Sequence, residues 1–272
     1  MRLDLHIHTT ASDGAWSPAR VVEGAIAGRL DVIAITDHDT AAGVPAAMAA
    51  AEGQPIQVLA GIEVSSAWRG RDVHVLGYFV DPSAPVLMRH AERARTRRDD
   101  RMREMIERLD GQGVHVSFED VERAAGPDRV VIGRPHLAKA LVEAGYASSV
   151  PETFRTLIGD DSDAFVPAHL LDPMEAVGVV RESGGVAMWA HPPGDMVDEL
   201  LPQLVETGLA GLEVYRPRSR RTELLRLETI CRTSGLLTSG GSDWHGPDAG
   251  SVLGDFYLNA DEVEGLLKRG GL

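Results

Sequence analysis

The sequence lacks a long hydrophobic run and contains a single cysteine. No apolar stretch approaches the roughly 18 residues that a membrane-spanning helix needs, and the N-terminal MRLDLHIH is typical of a strand rather than of a secretory leader. We therefore expect a cytoplasmic protein without membrane contact. With Cys231 alone, neither an intrachain disulfide nor a thiolate metal cluster can form, and a buried, unreactive cysteine is the simplest interpretation.

Basic residues are also scarce. The 27 Lys and Arg side chains stand against 41 Asp and Glu side chains, and the formal charge of −14 argues against binding long nucleic acid through a broad basic face. Bound metal would change this balance locally. Three divalent ions among the carboxylates of Asp13, Glu63 and Asp243 would leave a positive pocket that attracts a phosphate group.

Short apolar runs alternate with helical patterns along most of the 272 residues. Runs typical of buried strands are RLDLHIH, DVIAIT, IQVLAGIEV, GGVAMWAH, GLAGLEVY and GLLTSGGSD. Helical patterns such as SPARVVEGAIAGR, with Ser17 as N-cap, lie between several of them. The alternation predicts an α/β fold with parallel strands and crossover helices. DVHVLGYFV follows GIEVSSAWRGR too closely for a crossover, so we expect a hairpin with RGR at its turn.

The middle of the chain departs from this alternation. Helix formers and charge dominate from about Arg89 to Pro167, which predicts an inserted helical subdomain over residues 89–166 that caps a substrate site. The rest of the chain, residues 1–88 and 167–272, would then form the α/β domain that the alternation predicts. The first predicted helix of the insertion carries eight arginines from Arg89 to Arg108, against five carboxylates. A solvated amphipathic helix is the default interpretation, and a helix that lines a phosphate site is the alternative.

Side chains that bind metals occur at or beside most of the predicted strands. His6 and His8 are separated by one residue on a predicted strand, so both side chains face the same side of it. Asp4, and Asp37 or Asp39, could accept hydrogen bonds from ligating histidines. Taken singly, each candidate has an ordinary alternative as a turn, edge or core residue. Together they are better explained as ligands of Mn, Fe or Zn than as packing residues. The nine candidates are His6, His8, Asp13, His38, Glu63, His74, His191, Asp243 and His245.

The same motifs resemble those of the polymerase and histidinol phosphatase (PHP) family. LHIHTTASDG, ITDHDT, GIEVS, HVLGYF, AHP and GSDWH occur in the order of that family, and none is missing. The resemblance implies a distorted (β/α)7 TIM-like barrel with three divalent metal ions at the carboxyl ends of its strands. By the same resemblance, one ion would bind His6, His8, Glu63 and Asp243, a second Glu63, His74 and His191, and a third Asp13, His38 and His245. The residues expected to act in catalysis are Asp13, His38, Glu63, His191, Asp243 and His245.

The insertion and its motif IGRPHLAKAL further resemble small bacterial nucleotide phosphoesterases that act on 3',5'-bisphosphonucleotides or short oligoribonucleotides. That resemblance implies that Arg134 and His136 bind substrate phosphate, although an ordinary helix N-terminus is the alternative. Arg216, Arg218, Arg220 and Arg221 follow another strand end, and one of them could reach the site.

These features predict a cytoplasmic hydrolase with a small phosphorylated substrate. Our hypothesis is cleavage of a nucleotide phosphomonoester by a metal-bridging hydroxide, with manganese expected and iron or zinc as alternatives. A histidinol-phosphate-type phosphatase and a non-catalytic nucleotide-binding module remain alternative functions. The sequence does not indicate the oligomeric state or the base preference.

Overall fold

A curved eight-stranded sheet occupies the centre of the structure. The computed structural model describes residues 1–127, 129–167, 170–247 and 252–272. Its strands are β1 (Arg2–Ile7), β2 (Val32–Ile35), β3 (Gln57–Trp68), β4 (Arg71–Tyr78), β5 (Val186–Trp189), β6 (Gly211–Tyr215), β7 (Leu237–Gly240) and β8 (Leu258–Asn259). They are ordered β7-β6-β5-β4-β3-β2-β1-β8.

The sheet closes almost into a barrel. Neighbours among β1, β2 and β3 are parallel, as are neighbours among β5, β6 and β7, whereas β4 is antiparallel to both β3 and β5. The segment after β7 hydrogen bonds to β1, because Trp244 N donates to His6 O and His8 N donates to Trp244 O. The predicted distorted TIM-like α/β barrel is confirmed, with the two-residue β8 added antiparallel to β1.

The hairpin of β3 and β4 is also confirmed. Trp68 pairs with Arg71, so the turn consists of Arg69 and Gly70. Both have positive φ angles, 51° and 76°, as the tight turns between twisted antiparallel strands require. The hairpin carries Glu63 and His74 on adjacent strands.

Helices cover the outside of the barrel. They are α1 (Pro18–Ala27), α2 (Val44–Ala51), α7 (Pro173–Glu182), α8 (Val197–Thr207), α9 (Arg221–Ser234) and α10 (Glu264–Arg269), with a 3-10 turn at Ala260–Val263. Ser17 caps α1 by accepting a hydrogen bond from Arg20 N, as predicted. Cys231 of α9 is buried. No helix in the described parts of the chain is long and apolar enough to cross a membrane.

Four helices and a π-helical turn lie between β4 and β5. They are α3 (Pro85–Asp110), α4 (Phe118–Ala125), α5 (Arg134–Glu143) and α6 (Val150–Thr153), followed by Phe154–Ile158. Met105, Leu109, Val121 and Leu137 belong to an apolar core that is separate from the two cores around the strands. Helix α3 begins four residues before the predicted boundary at residue 89. The division into a barrel and a capping subdomain stays a prediction.

Candidate metal centre

The nine predicted metal-binding residues come together at one end of the barrel. β1 and the residue after it supply His6 and His8, and the loops after β1, β2, β5 and β7 supply others. The hairpin supplies the remaining two within its paired strands. The order along the chain is His6, His8, Asp13, His38, Glu63, His74, His191, Asp243 and His245. This convergence follows from the barrel, because parallel strands end at the same face.

Glu63 lies at the middle of this cluster and is fully buried. Its Oε2 is 3.2 Å from His6 Nε2, 3.2 Å from His8 Nε2 and 3.1 Å from His38 Nδ1. Its Oε1 is 3.0 Å from His74 Nδ1 and 3.1 Å from His191 Nε2. One carboxylate therefore faces five imidazoles, an arrangement that allows its two oxygens to serve different ions.

Two aspartates, Asp243 and Asp13, complete the cluster and face different nitrogens of the His8 ring. Asp243 Oδ1 is 3.3 Å from His6 Nε2 and 3.2 Å from His8 Nε2. Asp13 Oδ1 is 3.4 Å from His245 Nε2 and 3.7 Å from His8 Nδ1. His245 Nδ1 donates to the Asp243 carbonyl at 2.9 Å, which directs the opposite ring nitrogen toward Asp13.

The donor atoms fit divalent cations. Several are buried without a hydrogen-bond partner among the described residues: His6 Nε2, His8 Nδ1 and Nε2, Asp13 Oδ1, His38 Nδ1 and Glu63 Oε2. Each unsatisfied buried polar atom costs about 1–3 kcal/mol, so six of them in one cluster indicate a missing common partner. A set of imidazole and carboxylate donors suits Mn, Fe or Zn.

The donors form three overlapping groups in which the ligand atoms lie within 4.8 Å of one another. The groups are His6, His8, Glu63 and Asp243; His8, Asp13, His38 and His245; and His38, Glu63 and His74. The first matches the expected ion site, and the second adds His8 to the expected three. The third contains His38 where the resemblance placed His191, although His191 Nε2 also contacts Glu63. The number of ions and their ligand assignments stay predictions.

The carboxylates of the cluster are ionised. Burial raises the pKa of Glu63, but His38 and His6 more than offset this and hold it well below its usual range. Burial likewise raises the pKa of Asp13, yet His38 and His245 hold it well below its usual range. Metal ligands must be deprotonated, so both side chains are in the form that binds cations at neutral pH.

The pKa of His8 is shifted in the opposite direction, upward. Burial lowers its pKa, but the neighbouring Asp243 and Glu63 outweigh burial and raise it to about 10. In the absence of metal, a proton on His8 offsets part of the negative charge of these carboxylates. Binding of a cation must displace that proton, which makes metal affinity dependent on pH.

Glu213 on β6 is a functional residue that the sequence analysis missed. Its Oε1 accepts from His6 Nδ1 at 2.8 Å, and its Oε2 accepts from the His191 backbone N–H at 2.7 Å. It is fully buried. A hydrogen bond of this kind fixes the tautomer of His6 and leaves its Nε2 free for metal. The signal in the sequence was a carboxylate inside the apolar strand GLEVY.

The aspartates expected to hold ligating histidines have other partners in this structure. Asp4 accepts from the backbone N–H and hydroxyl of Ser242, and Asp37 accepts from Thr9 and Ser12. The prediction that Asp4 and Asp37 contact histidine rings was wrong, because these short side chains accept hydrogen bonds from nearby loop residues instead. They brace the loops that carry the ligands.

Asp39 joins the loop after β2 to the insertion. Its carboxylate accepts from Ser65 N at 2.8 Å, from His90 Nε2 at 3.0 Å and from Arg98 Nε and Nη2 at 3.0 and 2.6 Å. Burial raises the pKa of Asp39, but Arg98 and then His90 hold it far below its usual range. We call Asp39, His90 and Arg98 the α3 clasp. It fastens helix α3 beside His38.

The backbone is strained near the ligands. Asp39, His191 and Asp243 have φ angles of 57°, 32° and 54°, in the left-handed region that non-glycine residues seldom adopt. Such conformations cost about 1–3 kcal/mol each and persist where surrounding contacts enforce them. The clasp on Asp39 and the Glu213 bond to His191 N are contacts of this type.

A pocket of about 700 Å³, which includes space open to solvent, lies between the metal centre and the insertion. Its lining comprises Asp13, His38, Ser65, Asp72, His74, Arg98, Arg101, Gly133, Arg134, Pro135, Phe154 and Leu170. The metal-facing side therefore presents histidine and carboxylate, whereas the insertion presents three arginines and an apolar surface.

The two residues expected to bind phosphate differ in position. Arg134 lines the pocket, forms an ion pair with Asp160 and lies 5.5 and 5.3 Å from the ring centroids of Phe154 and Phe165. His136 is buried and follows the lining residues Gly133 to Pro135 in the chain, and its Nδ1 accepts from Gly133 N at 3.0 Å. Burial lowers the pKa of His136 to about 4. Their roles stay predictions.

Known proteins with similar sequences and folds include several phosphoesterases. Phosphoribosyl 1,2-cyclic phosphate 1,2-diphosphodiesterase of Eggerthella lenta is 37% identical over 248 residues, which cover 89% of this chain and 94% of the relative. The 5'-3' exoribonuclease Rnm of Salmonella typhimurium is 32% identical over 270 residues, 97% and 92% of the two chains. The 3',5'-nucleoside bisphosphate phosphatase of Chromobacterium violaceum is 32% identical over 254 residues, 91% and 88%.

A solved structure supports the same grouping. The crystal structure of a candidate metal-dependent phosphoesterase from Bifidobacterium adolescentis superposes with a TM-score of 0.89 at 34% identity, covering 98% of this chain and 96% of that one. The family model described as PHP domain matches residues 4–132. These similarities extend over nearly the whole chain and agree with the donor set at the barrel end. The chain belongs to the PHP family.

Proposed function

We propose that this protein, a metal-dependent phosphoesterase, hydrolyses a phosphomonoester of a nucleotide. The preferred reaction is conversion of a 3',5'-bisphosphonucleotide and water to a nucleoside monophosphate and phosphate. The observation that carries the proposal is a cluster of buried donor atoms without hydrogen-bond partners among the described residues, at one side of a pocket whose other side presents arginines. The similarity to a 3',5'-nucleoside bisphosphate phosphatase over 91% of the chain supports the choice of substrate.

Three divalent ions, with manganese preferred over iron or zinc, would be held by the nine-residue donor set. When bound, such ions activate water near neutral pH and polarise the phosphoryl oxygens. The chain contributes rigidity. Glu213 holds His6, the Asp243 carbonyl holds His245, and burial of Glu63 keeps bulk water from the centre of the cluster.

Arg134 and His136 would bind the substrate as hydrogen-bond donors. Arg134 presents a planar guanidinium that matches phosphate oxygens. His136 is neutral at pH 7 because its pKa is about 4, and its Nδ1 accepts the Gly133 amide hydrogen. Its hydrogen is therefore on Nε2, where it can be donated. A neutral imidazole is a weak acid, so the proton for the leaving alkoxide would come from water rather than from His136.

The apolar part of the pocket suits a nucleoside. Pro135, Phe154 and Leu170 provide a surface on which a base or ribose can pack, beside the arginines that would bind phosphate. Small substrates also agree with the acidic surface, which disfavours long nucleic acid. Short oligoribonucleotides are the second candidate, because the pocket opens to solvent and the similarity to an exoribonuclease spans 97% of the chain.

The test is mass spectrometry of the products formed by manganese-loaded protein. The substrates are 3',5'-bisphosphoadenosine, a 5'-phosphorylated short oligoribonucleotide, phosphoribosyl 1,2-cyclic phosphate and histidinol phosphate. We expect adenosine monophosphate and phosphate from the first at the highest kcat/KM. A higher kcat/KM for any of the others would replace the proposed substrate. Tight nucleotide binding with no product from any substrate and any of the three metals would favour a non-catalytic binding module.

A further inference from the structure

Arg101 of helix α3 lines the pocket from the side of the insertion. Its Nε donates to the Val166 carbonyl at 2.7 Å, which fixes the side chain, and its guanidinium carbon lies 5.6 Å from the ring centroid of Phe165. The Nη groups form no hydrogen bond within the described parts of the chain. Arg101 therefore offers two donor nitrogens and a positive charge to the pocket that also contains Asp13, His38 and His74.

The two neighbouring arginines of the pocket each have a carboxylate partner. Arg98 forms a two-point ion pair with the buried Asp39, and Arg134 pairs with Asp160. Among the described residues, Arg101 forms no such pair. Asp72 lies in the pocket lining and attracts Arg101 at longer range without an ion pair. Arg101 is thus the arginine of this pocket whose charge has no carboxylate partner among the described residues.

The electrostatic environment of Arg101 is unfavourable without an anion. Burial and, to a lesser extent, the charges of Arg134 and Arg98 together lower its pKa to about 10. It stays protonated at neutral pH. A phosphate group beside it would relieve the repulsion among three guanidinium groups, and the half-buried position would strengthen the attraction relative to that in water.

We propose that Arg101 forms a second phosphate subsite, which binds the phosphate group of the substrate that is not cleaved. The metal centre takes the phosphate that is hydrolysed, and Arg101 takes the other through its free Nη groups. The pocket then selects substrates that carry two phosphate groups on one nucleoside, or a phosphodiester next to a terminal phosphate. This inference rests on the proposed function and names the residue that sets its specificity.

The test compares 3',5'-bisphosphoadenosine with adenosine 3'-monophosphate and adenosine 5'-monophosphate. The manganese-loaded wild-type protein should prefer the bisphosphate, and Arg101→Met should lower kcat/KM for it about 100-fold, as expected for loss of a charge-assisted phosphate contact. Most of the change should appear in KM, because a remote phosphate is bound in the ground state as well. Activity on the monophosphates should stay within a few fold of wild type.

Two further variants separate a binding role from a structural one. Arg101→Lys keeps the charge but loses the forked geometry, so it should recover part of the preference for the bisphosphate. Arg95→Met removes an exposed arginine of the same helix that pairs with Glu92, and it should leave every rate unchanged. Equal loss on bisphosphate and monophosphates in Arg101→Met, or an undiminished preference, would overturn the inference.

Binding experiments keep this inference separate from the proposed function. If the wild-type protein leaves the bisphosphate uncleaved, the proposed function fails. In that case, calorimetry with the manganese-loaded protein should still show tighter binding of 3',5'-bisphosphoadenosine than of either monophosphate, and Arg101→Met should remove the difference. If wild type binds all three alike, the second subsite does not exist.

Discussion

The barrel end and the helical insertion use charge in opposite ways. At the barrel end, histidines and carboxylates are buried, and several of their ligand atoms have no hydrogen-bond partner in the part of the chain that the structure describes, an arrangement that suits cations. In the insertion, arginines surround the facing side of the pocket, and two of the three are held by carboxylates. In the proposed function, a phosphate ester would lie between the two regions. The barrel end would then be the reactive centre, and the insertion would select among phosphate esters.

The largest effect should come from Glu63, the residue on which the barrel end depends. Glu63→Gln preserves size but removes the negative charge that five imidazoles face. We expect loss of more than about 1000-fold in kcat together with reduced bound metal, since Glu63 is the central carboxylate of the proposed metal centre on which activation of water would depend. Activity is measured with saturating manganese, and metal content by plasma mass spectrometry.

Glu52→Gln is the matched control for Glu63→Gln, because Glu52 is exposed at the end of α2. It makes the same chemical change away from the pocket, so its activity and metal content should equal those of wild type. If Glu63→Gln kept both a full metal complement and wild-type kcat, the barrel end would not be the reactive centre. The comparison between the two regions would then fail.

Substitutions in the α3 clasp test whether the barrel and the insertion are energetically coupled. Asp39→Asn leaves the charge of Arg98 without its partner, and such a change in a buried pair costs about 3 kcal/mol of unfolding free energy. Activity should also fall, because Asp39 directly follows His38. Adding Arg98→Met to Asp39→Asn should restore part of the stability, which urea unfolding measures. Strictly additive effects of the two substitutions would show that the pair is not coupled.

A substitution of Glu213 should have a smaller effect on the barrel end than the substitutions of Glu63 and Asp39. Glu213→Gln keeps an acceptor for one of its two donors but weakens the hold on His6 Nδ1. Loss of a partner of this kind lowers metal affinity about 10- to 100-fold. Titration with manganese should show the shift, while kcat at saturating metal stays near wild type. An unchanged affinity with lowered kcat would place Glu213 in the chemistry instead.

Glu213 also marks the limit of what the sequence could reveal. The ligand candidates were recognisable because strand-end motifs such as His6-x-His8 and Asp243-x-His245 are local in the sequence. The alternation predicted parallel strands, whose ends meet at one edge, and the resemblance to the PHP family implied that these strands form a barrel. Glu213, by contrast, has partners 22 and 207 residues away. A lone carboxylate in an apolar strand does not disclose those partners.

The insertion was harder to interpret for a related reason. The arginines of α3 had the composition of a solvated helix, and only tertiary contacts distinguish their functions. Arg98 meets Asp39 across 59 residues, and Arg101 reaches Val166 across 65 residues. Arg95, three residues before Arg98, simply pairs with Glu92 on the surface. Helical spacing alone could not separate these cases.

The smallest predicted effect concerns the pH dependence of stability and belongs to the insertion. Burial lowers the pKa of His136 to about 4 in the folded protein, whereas an unfolded histidine titrates near 6.5. As the pH falls below about 6.5, the unfolded chain takes up a proton that the folded protein does not, so stability is lost with falling pH until the folded pKa is reached. The expected loss between about pH 7 and about pH 5.5 is about 1 kcal/mol.

His136→Gln should remove this contribution, so the unfolding free energy of the variant should depend less steeply on pH than that of wild type by the same amount. The measurement is urea unfolding of both proteins with a chelator present, because titration of the barrel histidines then contributes equally and cancels in the difference. Parallel curves for the two proteins would mean that the pKa of His136 in the folded protein lies near that of an unfolded histidine. His136 would then become a cation only as the pH falls below about 6.5, and the positive charge that the insertion offers to a phosphate would depend on pH.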